Sequence, residues 1–378
     1  MDLSYWERNT WFNNTDVLIV GSGIVGLSSA LFIKERKPNL NILVIDRGFL
    51  PYGASTRNAG FACFGSITEL MDDLNQMGEA KVFDLLLRRW NGLKKLRSHL
   101  GDDFIEYENL GGYEVFTAGD ESTFQNCIKQ MGYFNKKLSA LIGEEEVYVR
   151  ADERIADFGL GNVNHLLLNR LEGQINTGKM MNSLLNKVRA EGVIVLNGIE
   201  IKDFREEQNN IYIETANGFS FYSKKILITT NGFARQLIPE LSVEPARAQV
   251  LITSPINNLK VKGCFHYDKG FYYFRNVGNR LLLGGGRNLD FKKEHTWEFG
   301  LTATIQNKLN ELLKEMILPN IDFHVEMRWS GIMGLGNEKT TIIKPISSNI
   351  YCAVRMGGMG IAIGSLVGDE AAEMVCSK

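Results

Sequence analysis

The spacing of apolar residues changes several times along the chain. DVLIV, residues 16–20, is a short β-branched run of the kind buried on both faces of a parallel sheet. GIVGLSSALFIKER then switches to helical spacing, and NILVID, residues 41–46, returns to strand character. Strand, helix and strand within about 30 residues predict a βαβ unit. From Ile67 to about Glu144 the apolar positions recur at helical intervals, as in ITELMDDLNQ and AKVFDLLLRRWNGLKKLRSHL, so the whole stretch is expected to be helical and amphipathic. TGKMMNSLLNKVRAEG predicts a further helix, and VIVL, NIYIET and FSFYSKKILITTNG predict strands, with Asn217-Gly218 as a hairpin turn. ARAQVLITSP, GFYYFRN and NRLLLGGG mostly alternate, as in an antiparallel sheet with one wet face. TATIQNKLNELLKEMI reads as helix, and NIYCAVRMGGMG as a last strand leading into a glycine loop and a terminal helix.

Two loops in this pattern carry candidate chemistry. Gly21, Gly23 and Gly26 form G-x-G-x-x-G between a predicted strand and helix, and Asp46 ends the next strand. In such a loop the first glycine permits the tight turn, the second lets backbone approach a pyrophosphate, and the third allows close helix–strand packing. An acid at the position of Asp46 suits a free ribose diol better than a 2′-phosphate, which leaves FAD or NAD. Gly357, Gly358 and Gly360 open the terminal helix in the same manner. A helix start presents unpaired N–H groups and partial positive charge, so each loop can hold an anion. From the pattern alone the loops hold either two ligands or two ends of one.

Composition narrows the field. At 378 residues the chain is expected to form two domains. It has 44% hydrophobic and 23% charged residues and a formal net charge of −2, with no basic stripe, which disfavours nucleic acid and anionic membrane surfaces as partners. No apolar run approaches the roughly 20 residues needed to cross a bilayer. The opening MDLSYWERNTWFNNTD lacks a signal pattern, so a cytoplasmic location is expected. The five cysteines have no C-x-x-C spacing and the five histidines no paired metal spacing, so neither a disulfide framework nor a metal site is expected. His266 is expected to be structural. A hydrolase reading has no G-x-S-x-G elbow to rest on.

GASTRNAGF, residues 53–61, together with the first loop, resembles the FAD-dependent D-amino acid oxidase and glycine oxidase superfamily, in its bacterial amine-oxidising form. ILITTNGFARQLIPEL, GFYYFRNVGNRLLLGGG and RWSGIMGLG…IYCAVRMGGMGIAIG match in order along nearly the whole chain. The resemblance implies an α/β fold in which a Rossmann-like FAD-binding domain is joined to a second, mainly antiparallel α+β substrate domain. The former is expected from residues 1–66, 155–245 and 325–378, and the latter from 67–154 and 246–324. It also implies one extended FAD with its pyrophosphate at the first loop and its isoalloxazine beside the last, where backbone N–H groups of Gly357, Gly358, Met359 and Gly360 would stabilise negative charge on the reduced ring.

Further positions carry over from the resemblance. Ile24 and Val25 would supply backbone contact to the pyrophosphate, and Asp46 and Arg47 would lie at the adenosine ribose. Ser55, Arg57, Asn58, Ala59 and Gly60 would line the ribityl chain and flavin. The backbone of Ile201 would meet adenine, and Gly232 would lie where another strand end approaches the cofactor. On the substrate side, Tyr272 matches a tyrosine that packs on substrate, with Tyr273 structural on the other face. Arg355 matches an arginine that pairs with a substrate carboxylate.

The chain also departs from the pattern. Met333 stands where amino acid-oxidising members have a second arginine, which leaves room for an apolar amine. The flavin-linking cysteine of sarcosine oxidase-like members has no counterpart, so FAD is expected to be non-covalent. Their oxygen-assisting lysine falls on Leu282. The expected activity is oxidation of the C–N bond of a small amine or amino acid by hydride transfer to flavin N5. O2 or another acceptor, such as a quinone or carrier, would take the electrons. The rival readings are an NAD-dependent dehydrogenase that uses only the first loop, and a flavin-binding or sensing protein without turnover.

Overall fold

The first apolar run forms the centre of a parallel sheet. Thr15–Val20 lies between Ile42–Asp46 and Ser220–Ile228, parallel to both. A computed structural model describes residues 2–377. The sheet has eight strands, with the path Ile342–Pro345, Ile350–Val354, Ser220–Ile228, Thr15–Val20, Ile42–Asp46 and Ile194–Asn197, and a hairpin of Ile201–Glu207 and Asn210–Thr215 attached to Ser220–Ile228. A second eight-stranded sheet runs in the order Val325–Leu335, Glu244–Thr253, Arg280–Gly285, Tyr272–Val277, Cys264–Tyr267, Gly112–Phe116, His165–Asn169 and Tyr148–Arg150. All its neighbours are antiparallel except Cys264–Tyr267 with Gly112–Phe116. The architecture is therefore α/β, a Rossmann-like sheet joined to a mainly antiparallel one.

Three features differ from the sequence expectation. Gly112–Phe116 is a strand inside the stretch expected to be wholly helical, and all five of its residues are buried. A strand covered on both faces shows no alternation, so its pattern is silent. His165–Asn169 and Val325–Leu335 lie in segments assigned to the FAD-binding domain, yet both belong to the second sheet. Val325–Leu335 pairs along the full length of Glu244–Thr253, from Val325 opposite Thr253 to Leu335 opposite Glu244. The helix Glu79–Leu100, assigned to the substrate domain, serves both units. Leu85, Leu93, Leu96 and Leu100 pack in the core that holds Leu27 and Leu31, while Val82, Phe83 and Leu86 pack with Phe124 and Phe134. Periodicity identifies the buried positions of a helix but not the partner each one meets.

The helices Ile24–Arg36 and Gly360–Cys376 lie against each other at very short range. A Cβ on Gly364 would sit 2.8 Å from Ile24 Cγ2, and one on Gly368 would sit 2.5 Å from Ser28 Cβ. The contact advances by four residues on both helices, so they run parallel and their N-termini point the same way. Gly26 brings the first helix equally close to the strand before it, since a Cβ there would lie 1.9 Å from the Gly21 carbonyl oxygen.

Gly368→Ala overfills this contact and is expected to cost about 1–3 kcal/mol. Gly132, on the Glu121–Ile142 helix, has nothing within 4 Å of an added Cβ. Gly132→Ala is therefore expected to be neutral or to stabilise by up to about 1 kcal/mol through helix propensity. Denaturant unfolding of both variants checks the contrast.

Candidate cofactor and substrate site

A cavity of about 830 Å³ is bordered by strand ends and loops of both sheets. The first loop forms part of its wall. The Ser22 N–H and hydroxyl both donate to Asp46 Oδ2, at 2.8 and 2.9 Å, and the Gly21 N–H donates to the Ile45 carbonyl at 2.8 Å. These bonds fasten the turn to the end of the neighbouring strand. The Ile24 N–H donates to Ser55 Oγ at 3.0 Å. The N–H groups of Gly23 and Val25 make no hydrogen bond among the described residues, and both residues border the cavity. Gly26 does not border it and serves the helix–strand packing described above.

The terminal loop borders the same cavity through Gly357, Gly358, Met359, Gly360 and Ile361. Two of the four N–H groups expected to face a flavin are already used. Gly357 donates to the Gly334 carbonyl at 3.2 Å and Met359 to the Met356 carbonyl at 3.1 Å. Gly358, Gly360 and Ile361 keep unpaired N–H groups among the described residues, so the open donors begin later in the helix than the glycine pattern suggests. Met333 borders the cavity beside this loop, its Sδ 3.7 Å from the position of a Cβ on Gly358.

Asp46, Arg47, Ser55, Arg57, Asn58, Ala59, Gly60 and Ile201 all border the cavity. Asn58 is a brace as well, since its amide donates to the carbonyls of Ala54 and Ser55 and its oxygen accepts from the Gly60 N–H and the Thr177 hydroxyl. Arg57 donates to the Ser330 carbonyl at 2.8 Å and lies 4.0 Å from the Tyr52 ring centre. Arg47 bonds Gln236 at 3.1 Å and lies 4.2 Å over Phe233. Gly232 stands back from the cavity while its neighbours Asn231 and Phe233 border it. Its carbonyl accepts from Trp297 Nε1 at 2.8 Å.

Two substrate-side expectations are corrected. Tyr272 is 3% exposed and packs in the core with Phe265, Phe274 and Ile305, whereas Tyr273 borders the cavity. The two residues alternate, so the cavity-facing side of the strand is carried by Tyr273, one residue later than expected. Gly284 stands opposite Tyr273 in the sheet, and a Cβ there would lie 2.5 Å from the Tyr273 ring, so the missing side chain makes space for it. Burial pushes the Tyr273 phenol up to about 12. Arg355 is the second correction. Its guanidinium is buried and already bonded, with Nε on the Thr340 carbonyl at 2.7 Å, Nη1 on the Ser242 carbonyl at 3.0 Å and Nη2 on Thr340 Oγ1 at 3.2 Å. It does not border the cavity and holds the following loop in place instead.

The structure adds residues that the motif pattern missed. Cys63 and His266 border the cavity, and Glu172 lies behind them, with ligand-type atoms of all three within 4.8 Å of one another. Residues this far apart in sequence leave no spacing signal. Glu172 Oε1 accepts from the N–H groups of Phe64 and Gly65 at 2.9 and 3.0 Å, and its Oε2 lies 3.7 Å from His266 Nε2. Burial alone would lower the pKa of His266, but the Glu172 carboxylate overrides it and raises the value to about 9. Burial would raise Glu172, and His266 with the two backbone donors outweighs it, leaving the carboxyl below its usual value. His266 is structural in its pairing, as expected, and it also faces the cavity.

The raised His266 pKa stabilises the fold fully below about 6.5, its unfolded value, and this contribution is lost as pH rises through about 9. The lowered Glu172 pKa acts at the other end, being lost as pH falls below the ordinary carboxylate range. His266→Gln is therefore expected to destabilise most near pH 6, and its difference from the parent protein to shrink toward pH 10. Unfolding free energies measured across that range check it.

The family model described as FAD dependent oxidoreductase matches residues 16–374. The probable oxidoreductase OrdL of Haemophilus influenzae is 23% identical, over 97% of this chain and 84% of its own length. Glycine oxidase from Geobacillus kaustophilus superposes with a TM-score of 0.75 at 19% identity, covering 96% of this chain and 95% of that one. L-proline dehydrogenase from P. horikoshii superposes with a TM-score of 0.75 at 17% identity, covering 96% and 94%. Among the described residues no helix is long and apolar enough to cross a membrane. With one cavity bordered by both helix starts and a family match that runs almost from end to end, the chain belongs to the FAD dependent oxidoreductases.

Proposed function

We propose that this protein oxidises the C–N bond of a small amine or amino acid to an imine, which water then hydrolyses, with FAD held non-covalently. The observation that carries the reading is the continuity of the cavity from the first glycine loop, past the terminal loop, to the wall bearing Tyr273. The names of the glycine oxidase and L-proline dehydrogenase neighbours accord with it. The residues present suit FAD. Unpaired N–H groups of Gly23 and Val25 fit a pyrophosphate, and those of Gly358, Gly360 and Ile361 fit the electron-accepting end. When bound, FAD accepts the hydride from the carbon beside nitrogen, so the protein's work is to bind, orient and desolvate.

Asp46 and the backbone of Ile201 border the adenosine end, and Ser55, Arg57, Ala59 and Gly60 border the middle. Met333, against Gly358, gives the substrate an apolar contact. Tyr273 keeps its proton throughout the physiological range, since its pKa is near 12, so its hydroxyl orients substrate by donating a hydrogen bond and does not serve as a base. A second reading, transfer of the electrons to a quinone or carrier, is left open by Leu282, which stands where the resemblance places an oxygen-assisting lysine. This position is buried against Ala59 and Val250.

Anaerobic addition of an amine and amino acid panel to the FAD-bound protein is expected to bleach the flavin spectrum, and a panel that never bleaches it would overturn the reading. Tyr273→Ala is expected to slow bleaching about 10- to 100-fold through lost orientation, while Tyr272→Phe leaves it nearly unchanged. Peroxide formation set against dye reduction, with the same substrate, separates the two acceptors.

A further inference from the structure

Cys63, Glu172 and His266 come together at the cavity wall, and the proposed oxidation uses none of them. Cys63 and His266 border the cavity, and a ligand-type atom of each of the three lies within 4.8 Å of those of the other two. All three residues are buried.

Three separate segments build the cluster. Phe61 pairs with Gln174 and Ala62 with Gly173 in antiparallel register, so the next step along the two chains sets Cys63 opposite Glu172. His266 comes from the Cys264–Tyr267 strand of the second sheet, next to the strand that begins at Gly112. A Cβ on Gly112 would lie 1.9 Å from Glu172 Oε2, so the missing side chain makes the space for the carboxylate. The Phe61 ring packs T-shaped against the His266 imidazole, with centres 5.3 Å apart.

The donor atoms are oriented but not bonded to one another. Glu172 Oε1 accepts from the Phe64 and Gly65 N–H groups, which fixes the carboxylate and leaves Oε2 beside the imidazole. His266 Nε2 is buried without a hydrogen-bond partner among the described residues, and its 3.7 Å separation from Oε2 is too long for one. Cys63 Sγ has a long contact of 3.9 Å to the Gly173 carbonyl. Buried donors of this kind are costly unless something binds them. A divalent cation does so with charge balance, because a thiolate and a carboxylate offset its two charges and the imidazole binds neutral. In the metal-free protein a proton on His266 faces Glu172 instead, and the cation displaces it together with the thiol proton.

We propose that Cys63, Glu172 and His266 hold zinc, or a similar borderline-soft divalent cation, at the cavity wall. A mixed sulfur, nitrogen and oxygen set is one that zinc accepts, and three protein ligands leave a fourth position for water or a group entering from the cavity. The expectation of no metal site came from paired spacing, which a cluster drawn from three segments does not show. The proposal is independent of the oxidation proposed above.

The test is calorimetric titration of the chelator-treated, FAD-bound protein with Zn2+, followed by X-ray absorption at the zinc edge. The tight equivalent is expected to show one sulfur neighbour at about 2.3 Å and nitrogen or oxygen neighbours at about 2.0–2.2 Å. Cys63→Ser is expected to remove the sulfur neighbour and to weaken binding by more than the roughly 10–100-fold typical of losing a group that only orients a ligand. His266→Gln is expected to weaken it to a similar degree. His165, which bonds Asp152 and Glu121, is the competing zinc binder, and His165→Gln is expected to leave the tight equivalent unchanged. Zinc that does not bind, that binds without a sulfur neighbour, or that binds Cys63→Ser as tightly as the parent would overturn the proposal and leave the oxidoreductase reading in place. Should a cluster variant fail to take up FAD, Cys376→Ser decides, because Cys376 is the one partly exposed cysteine. A sulfur neighbour kept in that variant supports the buried cluster, and its loss there overturns it.

Discussion

The close parallel contact between the helices Ile24–Arg36 and Gly360–Cys376 is the constraint on which the site depends. Gly364 and Gly368 remove the side chains that would hold these helices apart, and Gly26 removes the one that would lift the first helix from its strand. The cost is electrostatic, because two helix starts with partial positive charge converge on one cavity. A ligand with an anion near one end and an electron-accepting group at the other turns that cost into binding and redox poise. The residues joined by this contact lie more than 300 positions apart, so the cofactor site exists only when the chain's beginning and end are packed together.

The second sheet supplies the opposing wall, and its shape comes from small residues. Ala248, Gly331 and Val250 border the cavity without filling it, and Gly284 leaves the space over which the Tyr273 ring lies. In this wall His266 borders the cavity and forms a buried pair with Glu172 behind it, whose carboxylate accepts from the backbone N–H groups of Phe64 and Gly65. Such a pair gives the fold a pH window and joins the loop after the STRNAG segment to the second sheet. Among the described residues the Tyr273 hydroxyl, at the border of the cavity, has no internal partner.

Much of the loop geometry around the cavity is legible in the sequence because it is set by close approach of backbone. Glycines at fixed offsets are required where backbone must come close, so Gly21, Gly23 and Gly26 announce their loop without knowledge of the rest. The substrate side is harder to read because it depends on sheet parity and on which partner each side chain meets. One residue of parity separates the buried Tyr272 from the cavity-facing Tyr273. Arg355 stands next to the right loop, yet Thr340 and Ser242 take its donors, and no local pattern reveals carbonyls donated from elsewhere in the chain. The Gly112–Phe116 strand shows the same limit at the level of the fold, since burial on both faces erases the alternation that marks a strand.

The central claim is that one FAD spans both helix starts, with its flavin between the terminal loop and the Tyr273 wall. A crystal structure of the FAD-bound protein tests it most directly. The account predicts the pyrophosphate at the N–H groups of Gly23 and Val25, and the isoalloxazine with its negative edge at Gly358, Gly360 and Ile361, one face toward Tyr273. A flavin ring placed away from the terminal loop, or a nucleotide that occupies only the first loop, would contradict it.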